Sequence, residues 1–296
     1  MPKDRGESYS HEKVLNMISA MRILFDGSAQ IYNRYKNEPT SESLAVQERK
    51  SFSNQSLIED VHYRGILSME SAADHLMAFA DSIAEPAKTI APWTSVRGLL
   101  ESCALAVWFL DPTITANVRV GRCFAFRYLG FIEQIKFLQV NKAHTEIDQV
   151  QKRIIKVEQD AVSLGYPRLL DKNGKIAGIA MPMPSIIDLI KTTLDREGEY
   201  RLLSGIAHGH HWATQQFGFH VIEVENPEGL KVKAFEKHLH PEIVLFATDI
   251  AVSSFARVLW YQWRLYGWDQ KEIEDFLDQV YEQLHYKTEA RFWLST

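Results

Sequence analysis

The segment WTSVRGLLESCALAVWFLD, residues 93–111, is apolar around most of a helix's circumference. Such a helix cannot lie on a surface, so it predicts a bundle closed around it. Pro112 stops it, because the residue before a proline resists α geometry. Upstream, Ile66, Met69, Ala73, Leu76, Ala80 and Ile83 recur in steps of three and four. That stripe predicts a long helix over 56–85, ended by Pro86.

The same periodicity predicts helices over 11–37, 113–140, 143–164, 185–194, 199–214, 241–266 and 269–286. Asp269 and Glu272 are spaced as a capping box with Asp as the cap. Between the helices over 11–37 and 56–85, NEPTSESLAVQERKSFSNQS is polar enough to be a connection. GYPRLLDKNGKIAGIAMPMPS, with three prolines and Asn-Gly, predicts a loop or small hairpin. FGFHVIEVENPEGLKVKAF has two β-prone runs about a turn, which places a hairpin near 217–235. The expectation is an all-α bundle of about eight or nine helices with a small β-hairpin insertion. Residues 1–55 form an N-terminal helix and polar linker, and 56–296 the bundle domain.

Composition narrows the function. With 33 Lys and Arg against 38 Asp and Glu, the net charge of −5 argues against a generic polyanion-coating protein. The polar opening MPKDRGESYS predicts no secretory signal. Residues 241–263 carry Glu242, Asp249 and Arg257, so a buried amphipathic helix is expected there and no membrane span. The expected location is therefore cytoplasmic. Cys103 and Cys123 lie in apolar helical surroundings outside any Cys-x-x-Cys pair and read as small core residues. No Gly-rich phosphate loop, G-x-S-x-G, H-E-x-x-H or Walker lysine occurs.

The string YRLLSGIAHGHHWA, 200–213, carries the most chemistry. On a helix, Leu202, Leu203 and Ile206 cluster on one side and Arg201, Ser204, His208 and His211 on the other. Arg201 and His208 point the same way, about 10 Å apart along the axis. Histidine moves protons near neutrality, and arginine holds phosphate with a planar fork. Gly205 leaves bare backbone on the same side, where Trp212 also falls, so a two-fold interface is expected near this helix.

Here the chain resembles the HEPN superfamily, helical nucleotide- and RNA-associated domains of prokaryotic defence and toxin systems. Their catalytic members carry arginine, four to six residues, then histidine; Arg201 and His208 match with six between. Poorly characterised bacterial HEPN-like proteins also pair an early Arg-x-x-x-Glu, as Arg97 and Glu101 here, with a later Tyr-Arg-x-Leu-Ser, to which Tyr200–Ser204 is similar. Leu202 stands where catalytic members usually carry a polar residue. The resemblance covers 56–214. It implies metal-independent RNA cleavage with no cofactor by attack of the 2′-hydroxyl, leaving a 2′,3′-cyclic phosphate. Arg201 would stabilise the crowded phosphate and His208 would transfer protons. Tyr200, Ser204, His211, Arg97 and Glu101 would support them. The partners implied are RNA or a nucleotide, a second copy in a homodimer, and an inhibitor protein. The alternative is a non-catalytic helical module that binds a nucleotide or protein.

Other constellations have blander readings. His208 and His211 could share a metal only with ligands from elsewhere, such as Glu70, His75 or Glu101. Glu59-x-x-His62 resembles half a di-iron motif but lacks a second half, so no metal is expected. Arg97 and Glu101, one turn apart, suit a structural ion pair. Arg119, Arg122, Arg127 and Lys136, with Phe124, Phe126 and Tyr128, fit either a phosphate-tracking face or an ordinary amphipathic helix. The tryptophans, Trp260, Trp263 and Trp268 among them, read as core mass.

Overall fold

The computed structural model describes residues 4–215, 219–237 and 241–284. Eleven helices and two antiparallel hairpins occur among them, so the all-α class holds with more helices than the periodicity resolves. The helices are α1 (Asp4–Arg34), α2 (Leu44–Ser51), α3 (Gln55–Ile83), α4 (Ala91–Leu110), α5 (Ala116–Val140) and α6 (His144–Ser163). Strands β1 (Arg168–Leu170) and β2 (Ile176–Ile179) form the first hairpin, followed by α7 (Ile186–Leu194), α8 (Glu197–Ala207) and α9 (His211–Thr214). Strands β3 (Phe219–Glu225) and β4 (Lys231–Lys237) form the second, and α10 (Pro241–Tyr266) and α11 (Gln270–Gln283) follow. Residues 217–218 and 285–286, which fall in the expected 217–235 hairpin and 269–286 helix, lie outside the described residues.

The core is built on α4, packed against α3, α10, α7 and α8. Trp93, Val96, Leu99, Leu100, Cys103 and Phe109 are all fully buried there, as an all-round apolar helix requires. Helices α3 and α4 run antiparallel. The Ser71 and Ser102 hydroxyls meet at 3.1 Å, and one turn along the imidazole of His75 occupies the space a Cβ on Gly98 would need.

Helix α10 is long and apolar enough by composition to cross a membrane, yet 72% of its most apolar window is buried inside the protein. It carries Phe255, Leu259, Trp260 and Trp263 into the core, and Trp268 follows just beyond its end. Both cysteines are buried free thiols, and burial pushes the Cys123 thiol up to about 12. Caps start several helices where the sequence supplies an oxygen. Thr115 and Ser185 accept from the N–H of Val118 and Asp188, and Asp269 accepts from Lys271 and Glu272.

Helix α2 lies inside the stretch read as a polar connection. Ser43 caps it, and Ala45 is buried beneath it. Ala45 is its only apolar side chain buried in the core, which is too few to show a period in the sequence.

Candidate functional site

Helix α8 buries Leu203 and Ile206 and exposes Arg201 as its periodicity predicts, but it ends before His208 and His211 can join that face. Leu203 and Ile206 are buried and Leu202 packs against the core, while Arg201 and His208 are exposed. The helix ends at Ala207. His208 caps it with φ −89° and ψ 3°, and Gly209 follows at φ +68°. A left-handed residue breaks the helix there, which glycine does at no steric cost. The His210 N–H then bonds back to the Gly205 carbonyl at 2.8 Å, and α9 begins at His211. His211 and Trp212 thus belong to a second short helix, and the single helix to residue 214 is corrected to two.

That turn changes the meaning of Gly205, which is buried. A Cβ there would meet the Ala213 Cβ at 2.8 Å and the Trp212 ring at 2.9 Å. Its bare backbone serves the packing of α9 against α8. It is not an open patch for a second copy.

Arg201 is 59% exposed and paired with Glu197, one turn earlier, at 2.8 Å. Its hydrogen bond, with that of Lys191, holds the Glu197 carboxyl below its ordinary range. That i, i+4 spacing was readable in the sequence. The rings of His208 and His210 lie 6.0 Å apart, centre to centre. Ser204 accepts the His208 N–H through its backbone carbonyl at 3.0 Å.

Tyr200 faces the other way, into the protein, and joins Arg97 and Glu101 on α4. Its hydroxyl donates to Glu101 Oε1 at 2.9 Å and accepts from Arg97 Nη2 at 3.4 Å. The Arg97 guanidinium lies 5.6 Å from the Tyr200 ring centre, and its Nε is 3.0 Å from Glu101 Oε1. Burial, then the Glu101 carboxylate, raises the Tyr200 pKa against the opposing pull of Arg97. The three residues fasten α8 to α4, with Arg97 and Glu101 in the ion pair expected of them.

A charged cluster that no spacing announced sits among α2, α3, α5 and α10. Arg119, fully buried, grips both oxygens of Glu48 with Nε at 3.2 and 3.0 Å and Nη2 at 3.1 Å. It also donates to the Phe109 and Asp111 carbonyls. His62, 1% exposed, places Nε2 3.1 Å from Glu48 Oε2, and its ring meets Tyr266 edge-on. Burial lowers the His62 pKa, with Arg119 acting the same way and Glu48 opposing. For Glu48, burial raises the pKa, but His62 and Arg119 together outweigh it and the net shift is downward.

This cluster removes two alternatives. His62 is turned to Glu48, and Glu59 pairs outward with Arg49 at 4.0 Å, so they form no half of a metal site. Among the described residues no three of His, Cys, Asp and Glu gather as a metal-holding group. Nor do the basic residues of α5 form a phosphate-tracking face. Arg119 is internal, Arg122 donates to the Trp108 carbonyl and lies over its ring, Arg127 pairs with Asp60, and Lys136 with Glu133.

The groove of about 840 Å³ between α1 and α11 is lined by Asp26, Arg34, Glu272 and Phe276, and by no residue of 200–211. No family model matches the chain, and neither a curated protein nor a solved structure matches it.

Proposed function

We propose that the protein cleaves RNA without a metal, in the manner of HEPN domains, using the exposed side of α8. One observation carries this: Arg201 on α8 and His208, the residue that caps its end, are both exposed to solvent, whereas Leu203 and Ile206 between them are buried. The Arg201–Glu197 pair is held in water, where ion pairs contribute little, so an RNA phosphate can take the place of the carboxylate. Arginine then holds the phosphate through paired N–H donors. The His208 side chain is exposed, so its imidazole can reach a bound ribose as the group that transfers the proton. Attack of the ribose 2′-oxygen on phosphorus displaces the 5′-oxygen. The base takes the 2′ proton, an acid returns one to the leaving oxygen, and a 2′,3′-cyclic phosphate remains.

The second reading, a non-catalytic module that binds a nucleotide or protein, is favoured by the same Arg201–Glu197 contact, since a carboxylate already satisfies the arginine. Incubation of the purified protein with structured and unstructured RNAs in chelator separates the two. New ends bearing 2′,3′-cyclic phosphate support cleavage. Retention of intact RNA or nucleotide supports binding alone.

A further inference from the structure

Helices α5 and α6 stand out from the bundle as an antiparallel arm. From residue 129 to residue 149 no side chain is buried, although α5 and α6 pack along each other. Along the outer face of α5 lie Leu129, Glu133, Lys136 and Val140, in steps of four, three and four, which keep to one side of a helix. Phe137 and Gly130 flank that row two turns apart. Leu129 is 41% exposed, Phe137 65% and Val140 82%. Among the described residues nothing lies within 4 Å of the position a Cβ on Gly130 would take. Apolar side chains this exposed along one helix face mark a surface that something covers.

The order of residues identifies the occupant. When a second copy of this helix is laid against the first, antiparallel about a two-fold axis midway between Gln134 and Ile135, Leu129 of each copy falls opposite Val140 of the other. The same register sets Glu133 opposite Lys136, twice over, and Phe137 beside Gly130. The aromatic ring of one copy then lies on the same side of the seam as the bare backbone of the other, two residues away along the axis. The face is complementary to itself in its apolar and its charged positions, which an isologous interface requires. Glu133 and Lys136 now bond each other within the helix at 2.7 Å, both exposed, and can exchange partners across the axis without losing a pairing.

We infer that the protein forms a two-fold dimer through the outer face of α5, with a second copy of this chain as the partner. The interface rests on α5 alone and is independent of the RNA-cleavage reading.

Sedimentation velocity on the full chain across the micromolar range tests it. The wild type sediments as a dimer, and Phe137→Glu as a monomer. Gly130→Leu, which meets open space in a single copy, also gives a monomer, with the helical circular-dichroism spectrum of the wild type. Glu133→Lys weakens the dimer by setting like charges opposite each other, and adding Lys136→Glu restores it. Under oxidation the double variant Leu129→Cys/Val140→Cys links two copies covalently. Neither single variant does, since identical positions lie about 16 Å apart along the paired helices. A monomeric wild type overturns the proposal. So does a dimer indifferent to Phe137→Glu and Gly130→Leu, or a single-cysteine variant that links as well as the double.

Discussion

The Tyr200 hydroxyl donates to Glu101 Oε1 at 2.9 Å, joining the residue before Arg201 to α4, the helix on which the core is built. A helix held at that point cannot roll, so the outward direction of Arg201 is set by a neighbour that points inward. Tyr200→Phe removes the hydroxyl and keeps the ring. We expect a stability loss of about 1 kcal/mol by urea denaturation. If α8 acts on RNA, a larger loss of turnover than of RNA affinity accompanies it.

The buried Glu48–His62–Arg119 cluster makes stability depend on acid. His62 has its pKa lowered on folding, so the folded chain takes up its proton later than the unfolded one. Its contribution is complete above about pH 6.5 and is lost as pH falls from there through the folded pKa. Glu48, also lowered, adds a second loss at more acid pH in the same direction. Denaturant midpoints measured from pH 8 to pH 4 should therefore be level and then fall. His62→Gln should flatten the first part of that fall, above the carboxylate range. Glu48→Gln leaves Arg119 charged and buried, and should cost about 3–5 kcal/mol at neutral pH.

Gly205 separates intrinsic helix preference from packing. Alanine is the better helix former by about 1 kcal/mol, so an open position would gain from Gly205→Ala. The added methyl would meet Ala213 and Trp212 at under 3.0 Å. Overpacking of this kind costs about 1–3 kcal/mol, and we expect a lower thermal midpoint with a changed Trp212 environment in fluorescence. A raised midpoint would place α9 elsewhere.

The parts of the fold legible in the sequence are those where one helix carries its own evidence. Helix α4 is apolar all round, α3 shows a stripe through Leu76 and Ile83, and α11 is announced by Asp269. What could not be read depends on partners distant in sequence or on one backbone angle. Glu48 and Arg119 are 71 positions apart, and neither has a local spacing that names the other. The break at Gly209 looks in the sequence like a glycine tolerated inside a helix; only its positive φ ends α8 before His208 can join a continuous face with His211 and Trp212. Within the candidate site, the exposed positions of Arg201 and His208 and the Arg97–Glu101 pair were readable from helical spacing. The attachment of Tyr200 to that pair was not, because it crosses between helices.

If RNA binds at Arg201, its phosphate must displace the Glu197 carboxylate now paired there. Glu197→Gln should therefore tighten RNA binding, and the gain should shrink as salt rises. Fluorescence anisotropy with a labelled oligonucleotide at two ionic strengths measures it. An unchanged affinity would mean that Arg201 does not touch the RNA.

Single-turnover cleavage of an end-labelled RNA in chelator, comparing wild type with His208→Ala, bears most directly on the proposed function. Cleavage by the wild type should leave 2′,3′-cyclic phosphate ends. His208→Ala should slow it by about 10²–10⁴-fold while thermal melting stays unchanged, because the side chain is exposed. Cleavage that persists at the wild-type rate in His208→Ala, or that requires an added divalent metal, would contradict the account.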